Sequence, residues 1–235
     1  MKRIIYILLF LPFVTSCTQS SMSERLAKID SLVVSEKYDS AFSVLSEIDN
    51  TLIVNSEDKA HYTLLSTQIG YLVNKPPQSD SILDLAISYY EQNRNKSKLS
   101  DCYYYKSNRD MYEGNYPNAI LLAKMAEQNA QGICQKYKTS ERLAFLNELC
   151  GNYMLQLEYA RKALKISFQS QNKNWIAYSY HNIATAFSNL DNFDSARYYI
   201  NKTTPYIIYV DKKNKAGFLA NIGVFFKDQF PEKAR

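Results

Sequence analysis

The chain has 235 residues, of which 46% are apolar, 22% are charged and only six are glycine and six proline. So few glycines and prolines exclude collagen-like, linker-like and disordered proteins, and they count against a turn-rich all-β fold. Two histidines and four cysteines supply little material for a metal site or a histidine-dependent hydrolase, so no metal or cofactor is expected. The formal net charge of +5 is spread without a long basic run, which argues against a nucleic-acid partner.

The N-terminus has the pattern of an export signal. Lys2 and Arg3 precede an apolar run over residues 4–14, and small residues follow it. A basic start, a short apolar segment and small residues before a cleavage point are typical of a secretory signal. The run is too short to cross a bilayer, which needs about 20 apolar residues.

The last four residues of this signal, V-T-S-C, resemble the lipobox of bacterial lipoproteins. The resemblance implies cleavage after residues 1–16 and a covalent lipid on Cys17, with residues 17–21 as a tether. An ordinary secretory signal with an incidental cysteine is the alternative. Several acyl chains anchor a protein durably, so the membrane is an expected partner through this lipid alone.

The residues after Cys17 bear on which membrane holds the anchor. Thr18 stands where an aspartate would retain a Gram-negative lipoprotein in the inner membrane, and no acidic run that would suggest surface export follows. We therefore expect an outer-membrane lipoprotein that faces the periplasm, with the cell surface as the second choice. Removal of the signal takes away Lys2 and Arg3, which leaves a net charge of +3.

The body of the chain repeats itself with a period of about 40 residues. Gly114-Asn115-Tyr116 recurs one period later as Gly151-Asn152-Tyr153, and Asp191-Asn192-Phe193 follows at a similar distance. The first residue of each triplet predicts a turn with unusual backbone geometry, and the aromatic residue predicts the first position of the next helix.

Apolar and aromatic residues between the turns recur at three- and four-residue spacing, which is typical of helices that pack on a core. Pro205 should kink or end the tenth of these helices. The predicted helices cover 22–35, 38–49, 56–74, 79–93, 97–113, 116–131, 138–150, 153–170, 173–190, 193–210 and 213–227.

The repeat resembles the tetratricopeptide repeat in its longer form. This family places small residues where its two helices approach closely, and Ser107 with Ala119, and Ala184 with Ala196, match those positions. Gln156 replaces the small residue in the unit between them. The resemblance implies an all-α, right-handed superhelical solenoid of antiparallel helix pairs over 22–235, with the last repeat incomplete. Together with the signal peptide it is similar to tetratricopeptide lipoproteins of the Bacteroidota type.

In this family the first helices of successive units line a concave groove that binds partners. Tyr104 and Tyr178 stand where the chaperone-binding members carry lysines, so their carboxylate clamp is not expected. For any single tyrosine, a place in the core is the default interpretation. The candidate partner-binding residues are Tyr104, Asn108, Tyr112, Arg142, Phe145, Tyr178, His181 and Asn182.

The sequence contains no catalytic motif, and we expect a non-enzymatic scaffold that binds an unidentified protein or peptide. The sensing region of a truncated regulator is the first alternative, because the sequence stops inside a repeat. A glycan-binding lipoprotein is the second alternative, although Trp175 is the only tryptophan in the sequence. Two possibilities remain open for the cysteines after Cys17. One is a disulfide between Cys102 and Cys134, and the other is free buried thiols.

Overall fold

A computed structural model describes residues 21–77, 79, 81–212 and 214–229, with side chains as far as residue 223. Cys17 and the predicted signal peptide lie outside these residues. Over the described ranges the chain forms eleven α-helices, the number that the periodicity predicts, and two short 3₁₀ helices at Asn50–Leu52 and Thr204–Tyr209. The α-helices are α1 (Met22–Val34), α2 (Tyr38–Ser46), α3 (Ser56–Leu72), α4 (Ile82–Gln92), α5 (Lys96–Tyr112), α6 (Tyr116–Asn129), α7 (Ile133–Leu149), α8 (Tyr153–Ser170), α9 (Lys173–Asn189), α10 (Phe193–Thr203) and α11 (Lys215–Gln229).

The helices pack as successive antiparallel pairs. Extensive packing joins α5 to α6, α7 to α8 and α9 to α10. Each even-numbered helix from α4 to α8 also packs on the helix that follows it, and α8 packs on α9 as extensively as α9 does on α10. The odd-numbered helices from α3 to α9 touch one another across the repeats. Each unit therefore buries its apolar face against its neighbours, which is the architecture of a solenoid. The predicted all-α, tetratricopeptide-like solenoid is confirmed.

The turns inside the pairs have the geometry that the repeated triplets predict. Gly114, Gly151 and Asp191 adopt positive φ angles of 79°, 72° and 56°. The N–H of the asparagine after each of them donates to a carbonyl five residues earlier at 2.8–2.9 Å, which closes the end of the preceding helix. The aromatic residues that begin the next helix are Tyr116, Tyr153 and Phe193.

Small residues allow the two helices of a pair to approach closely, as predicted. The Ser107 hydroxyl on α5 donates to the carbonyl of Ala119 on α6 at 2.9 Å, and both residues are fully buried. Ala184 and Ala196 are likewise fully buried in the α9–α10 pair. A larger side chain at these positions has no room unless the helices separate.

Gln156 fits into the α7–α8 pair although it is much larger than alanine. Its side chain is 1% exposed. The amide nitrogen donates to Glu148 Oε2 at 2.9 Å, and the amide oxygen accepts from Asn189 Nδ2 at 3.0 Å. Gln156 replaces a small residue of the family pattern, yet it links α8 to α7 and α9 through satisfied hydrogen bonds.

Two helix boundaries differ from the prediction by five or more residues, and the others by three or fewer. The seventh helix begins at Ile133 rather than 138, because the Gln135 side chain reaches back and accepts from the N–H of Gly132 at 3.3 Å. This bond satisfies a donor that the first turn leaves free. The tenth helix ends at Thr203, and the 3₁₀ helix that contains Pro205 replaces its last predicted turns, as expected of proline.

Among the residues that the structure describes, none of the helices is long and apolar enough to cross a membrane.

Candidate functional site

A groove runs along the face formed by α5, α7 and α9. It consists of two adjoining pockets with volumes of about 440 and 660 Å³. The size suits a ligand, since ligand pockets usually enclose about 300–1,000 Å³. The residues that line both pockets are Tyr104, Glu141, Phe145, Glu148 and Asn182.

The structure brings seven of the eight predicted groove residues to this surface. Tyr112 and Arg142 line the smaller pocket, and Tyr178 and His181 line the larger one. The three others, Tyr104, Phe145 and Asn182, line both.

Asn108 is the exception, since it lines neither pocket. Its side chain is 6% exposed, and its amide oxygen accepts no hydrogen bond from the described residues. Asn108 therefore lies beneath the groove surface, where it can support the packing of α5 but offers a partner little area. Whether any of the eight residues binds a partner stays a prediction.

Arg142 is the central cation of the smaller pocket. Its guanidinium lies over the ring of Tyr104, 5.3 Å from the centroid, and Nη2 is 3.4 Å from the Tyr104 hydroxyl. Nη1 contacts Met111 Sδ at 2.7 Å, and Nε is buried without a hydrogen-bond partner. No carboxylate of the described residues lies within the 4.0 Å of an ion pair. Arg142 is thus in direct contact with neutral groups, while the Glu141 carboxyl acts on its charge from beyond ion-pair distance. Its planar set of donors can still bind a ligand.

The turn of α7 before Arg142 carries charges of both signs. Burial raises the pKa of the Glu141 carboxyl, although the charges of Arg142 and Lys138 and a hydrogen bond from Tyr137 oppose this effect. The one proton of the Tyr137 hydroxyl is shared between two acceptors, Glu141 Oε1 at 3.3 Å and the carbonyl oxygen of Trp175 at 3.2 Å. The middle of the groove therefore offers a cation and a partly desolvated carboxyl group side by side.

The far end of the groove is mainly aromatic, and the carboxyl group of Asp211 lies beside the aromatic rings. The ring of Phe218 on α11 packs against Tyr178 at 4.9 Å and against His181 at 5.3 Å between centroids. Burial lowers the pKa of the His181 imidazole, so the neutral form prevails at pH 7. Burial also raises the pKa of Tyr178 to about 12. This end is suited to apolar and hydrogen-bonding groups, and Asp211 adds an acidic side chain to it.

Several groove residues were missed in the sequence. Glu148 and Gln156 lie at the turn of the α7–α8 pair, where the family pattern suggests only packing. Phe218 follows Tyr178 by one repeat period, so the repeat could have identified it. Asp211 lies in the connection after the 3₁₀ helix, and no periodic signal marks it.

The tryptophan that a glycan site would need is partly covered. Trp175 stacks on Tyr137 with ring centroids 4.3 Å apart and planes inclined by 4°. One face of the indole is therefore occupied, which leaves little of the exposed platform that the glycan alternative requires.

A second polar cluster joins α1, α3 and α5. His61 Nε2 lies 2.7 Å from Asp30 Oδ2, and Lys98 Nζ lies 3.2 Å from the same histidine nitrogen. Burial tends to raise the pKa of Asp30, but the hydrogen bond from His61 and the charge of Lys98 outweigh it and hold the pKa below its usual value. These groups bind one another, so they tie three repeats together rather than form an open reactive centre.

The three cysteines in the described part of the chain are free. Burial raises the pKa of the Cys102 thiol to about 12, so this thiol is unreactive at neutral pH. Cys134 and Cys150 are exposed, contrary to the expectation of buried thiols. Within the same residues, no cluster of three or more histidine, cysteine or acidic side chains could hold a metal ion.

Comparison with known proteins identifies a similar fold. A crystal structure of a Rap protein complexed with Competence and Sporulation Factor superposes with a TM-score of 0.54. The two sequences are 15% identical, and the match covers 91% of this chain and 67% of the Rap chain. At this identity the likeness shows the fold alone, a tetratricopeptide-like helical repeat. No family model and no curated protein sequence matches the chain.

Proposed function

We propose that this protein is a lipid-anchored scaffold that binds a protein or peptide in the groove of α5, α7 and α9, without catalysis. The observation that carries the proposal is Arg142, a cation with no ion-pair partner among the described carboxylates, between Tyr104 and Phe145 on a continuous groove. Aromatic residues and arginine are the side chains that contribute most to binding at protein interfaces.

The groove chemistry indicates which part of a partner it would hold. A carboxylate of the partner would pair with Arg142, since the guanidinium presents a planar set of donors. Apolar side chains on either side of that carboxylate would contact Phe145 and the ring of Tyr178. The Rap protein of similar fold was solved with a bound factor, which supports a ligand-binding role for such a solenoid.

The proposed location is the periplasmic face of the outer membrane, with the lipid on Cys17. The support is the lipobox resemblance and the absence of an aspartate after the cysteine. With Cys17 as the anchor, only four residues would separate it from α1, so the solenoid would lie close to the bilayer.

Site-specific photocrosslinking tests the groove assignment. A photoreactive amino acid in place of Phe145, which is 44% exposed, should crosslink one discrete partner in intact cells. The same amino acid in place of Glu158, exposed on α8 outside both pockets, is the control. Crosslinks from Glu158 but none from Phe145 would show that partners bind another face.

The lipid anchor is tested separately. Cys17→Ser should abolish labelling by an alkynyl fatty acid and leave the signal peptide uncleaved by the lipoprotein peptidase. Cys150→Ser, which removes an exposed thiol of the solenoid, is the matched control and should label normally. Equal labelling of both variants would refute the lipid attachment.

The sensing region of a signalling protein is a second candidate. The fold likeness to a Rap protein complexed with Competence and Sporulation Factor favours it, since that complex also joins a helical repeat to a factor. A reading frame that continues past residue 235 into a membrane-spanning helix would decide for this candidate.

A further inference from the structure

Outside the groove, a pocket of about 380 Å³ opens between α6, α7 and α8. It shares no residue with either groove pocket. Its floor includes Ile166, which packs beneath the surface with Tyr137 and Ala163. The charged residues around it are Glu127 from α6, Lys136 from α7, and Lys162 and Lys165 from α8.

The carboxylate of this pocket, that of Glu127, forms ion pairs with two lysines. Lys162 Nζ lies 2.6 Å from Glu127 Oε1, and Lys124 Nζ lies 3.3 Å from Oε2. Lys124 also stacks on Tyr159, 4.4 Å from the ring centroid. Glu127 pairs with neither Lys136 nor Lys165, so this carboxylate does not compensate their charges directly.

Lys136 and Lys165 are therefore left with uncompensated charge. Both are exposed, and no carboxylate among the side chains that the structure describes lies within 4.0 Å of either ammonium group. Lys136 lines the pocket from α7 and Lys165 lines it from α8, so both positive charges lie beside the same small cavity. Like charges in one place repel each other, and an anion between them would relieve the repulsion.

We propose that this pocket binds a phosphate group. Its cations are lysines, which act as point charges on a compact tetrahedral anion, and it has no arginine to form the planar fork that a carboxylate prefers. A phosphate has enough acceptor oxygens to bind Lys136, Lys162 and Lys165 together. The Gln169 amide on the rim supplies a further polar group. A free phosphate and a phospholipid headgroup share this chemistry.

Calorimetry on the full chain in a non-ionic detergent tests the site with two probes. One is inorganic phosphate, and the other is glycerophosphoglycerol, the deacylated headgroup of phosphatidylglycerol. Saturable binding of either probe is expected, weakened by added salt because the lysines are exposed. A higher affinity for inorganic phosphate indicates a free anion as the natural ligand. A higher affinity for glycerophosphoglycerol indicates a lipid headgroup.

The variant Lys136→Gln/Lys165→Gln should weaken binding about tenfold, the combined effect of two partly exposed charge interactions. Lys28→Gln/Lys96→Gln removes the same charge from exposed lysines of α1 and α5 and should leave the affinity unchanged. Absence of saturable binding, or equal loss in both variants, would overturn the proposal. The groove is not involved, so either result leaves the proposed function untouched.

Discussion

Combined replacement of Tyr112, Arg142 and Phe145 by alanine is expected to abolish partner binding while the protein stays helical. The side chain of Tyr112 is 71% exposed, and Phe145 is also exposed, so neither truncation leaves a large cavity. Arg142 makes no ion pair within 4.0 Å with a described carboxylate, but its charge opposes the effect of burial on Glu141, so its loss should raise the pKa of that carboxyl further. A residue central to an interface contributes about 2 kcal/mol or more, which corresponds to roughly thirtyfold in affinity.

The measurement is the affinity for the partner that crosslinking at Phe145 identifies, with far-UV circular dichroism to monitor the fold. Leu121→Ala with Glu158→Ala is the control, because both residues are exposed on even-numbered helices outside the groove. Lys124 and Lys162 also lie on the even-numbered helices, but they are unsuitable as controls because both form ion pairs with Glu127. A groove variant with unchanged affinity, or a control that loses it, would place the binding face elsewhere.

Ala196→Leu is expected to destabilise the protein by about 1–3 kcal/mol, the usual cost of inserting a larger side chain into a well-packed core. Ala196 is fully buried where α9 and α10 approach each other, so three extra carbon atoms must push the helices apart. Urea denaturation gives the free energy of unfolding. The melting temperature should fall by roughly 3 °C for each kcal/mol in a domain of this size.

Ala27→Leu provides the matched control for this experiment. Ala27 is an exposed alanine of α1, so the same substitution there adds surface without displacing a neighbour. Its stability should stay within about 0.5 kcal/mol of the wild type, as is usual for surface changes. Equal stability of the Ala196 and Ala27 variants would mean that the α9–α10 contact is assigned to the wrong residues.

The helices and turns could be predicted because the signals for them are local. A left-handed residue before an asparagine and an aromatic residue marks the turn of a pair wherever it occurs, as at Gly114 and Gly151. The start of α7, in contrast, was missed because its signal is a single side chain. Gln135 caps that helix from within, and a side chain that reaches back to the first turn leaves no distinctive pattern in the apolar spacing.

The groove could be predicted only in part. Family positions indicated the face of α5, α7 and α9, and seven of the eight candidates line the pockets there, while their binding role stays a prediction. Asn108 does not, because the rotation of α5 against its neighbours decides which side of the helix is covered. That rotation depends on packing between residues that are a whole repeat apart in the sequence, which local spacing does not encode.

The sequence by itself determined the class of fold, the number of helices and the position of the turns, since propensity, apolar period and backbone preference act over a few residues. Only the tertiary structure decided that Arg142 lies beside Tyr104 without an ion-pair partner among the described carboxylates. It also decided that Glu127 pairs with Lys124 and Lys162 but not with Lys136 or Lys165. Charges interact according to their distance in space, and the solenoid brings together side chains that are far apart along the chain.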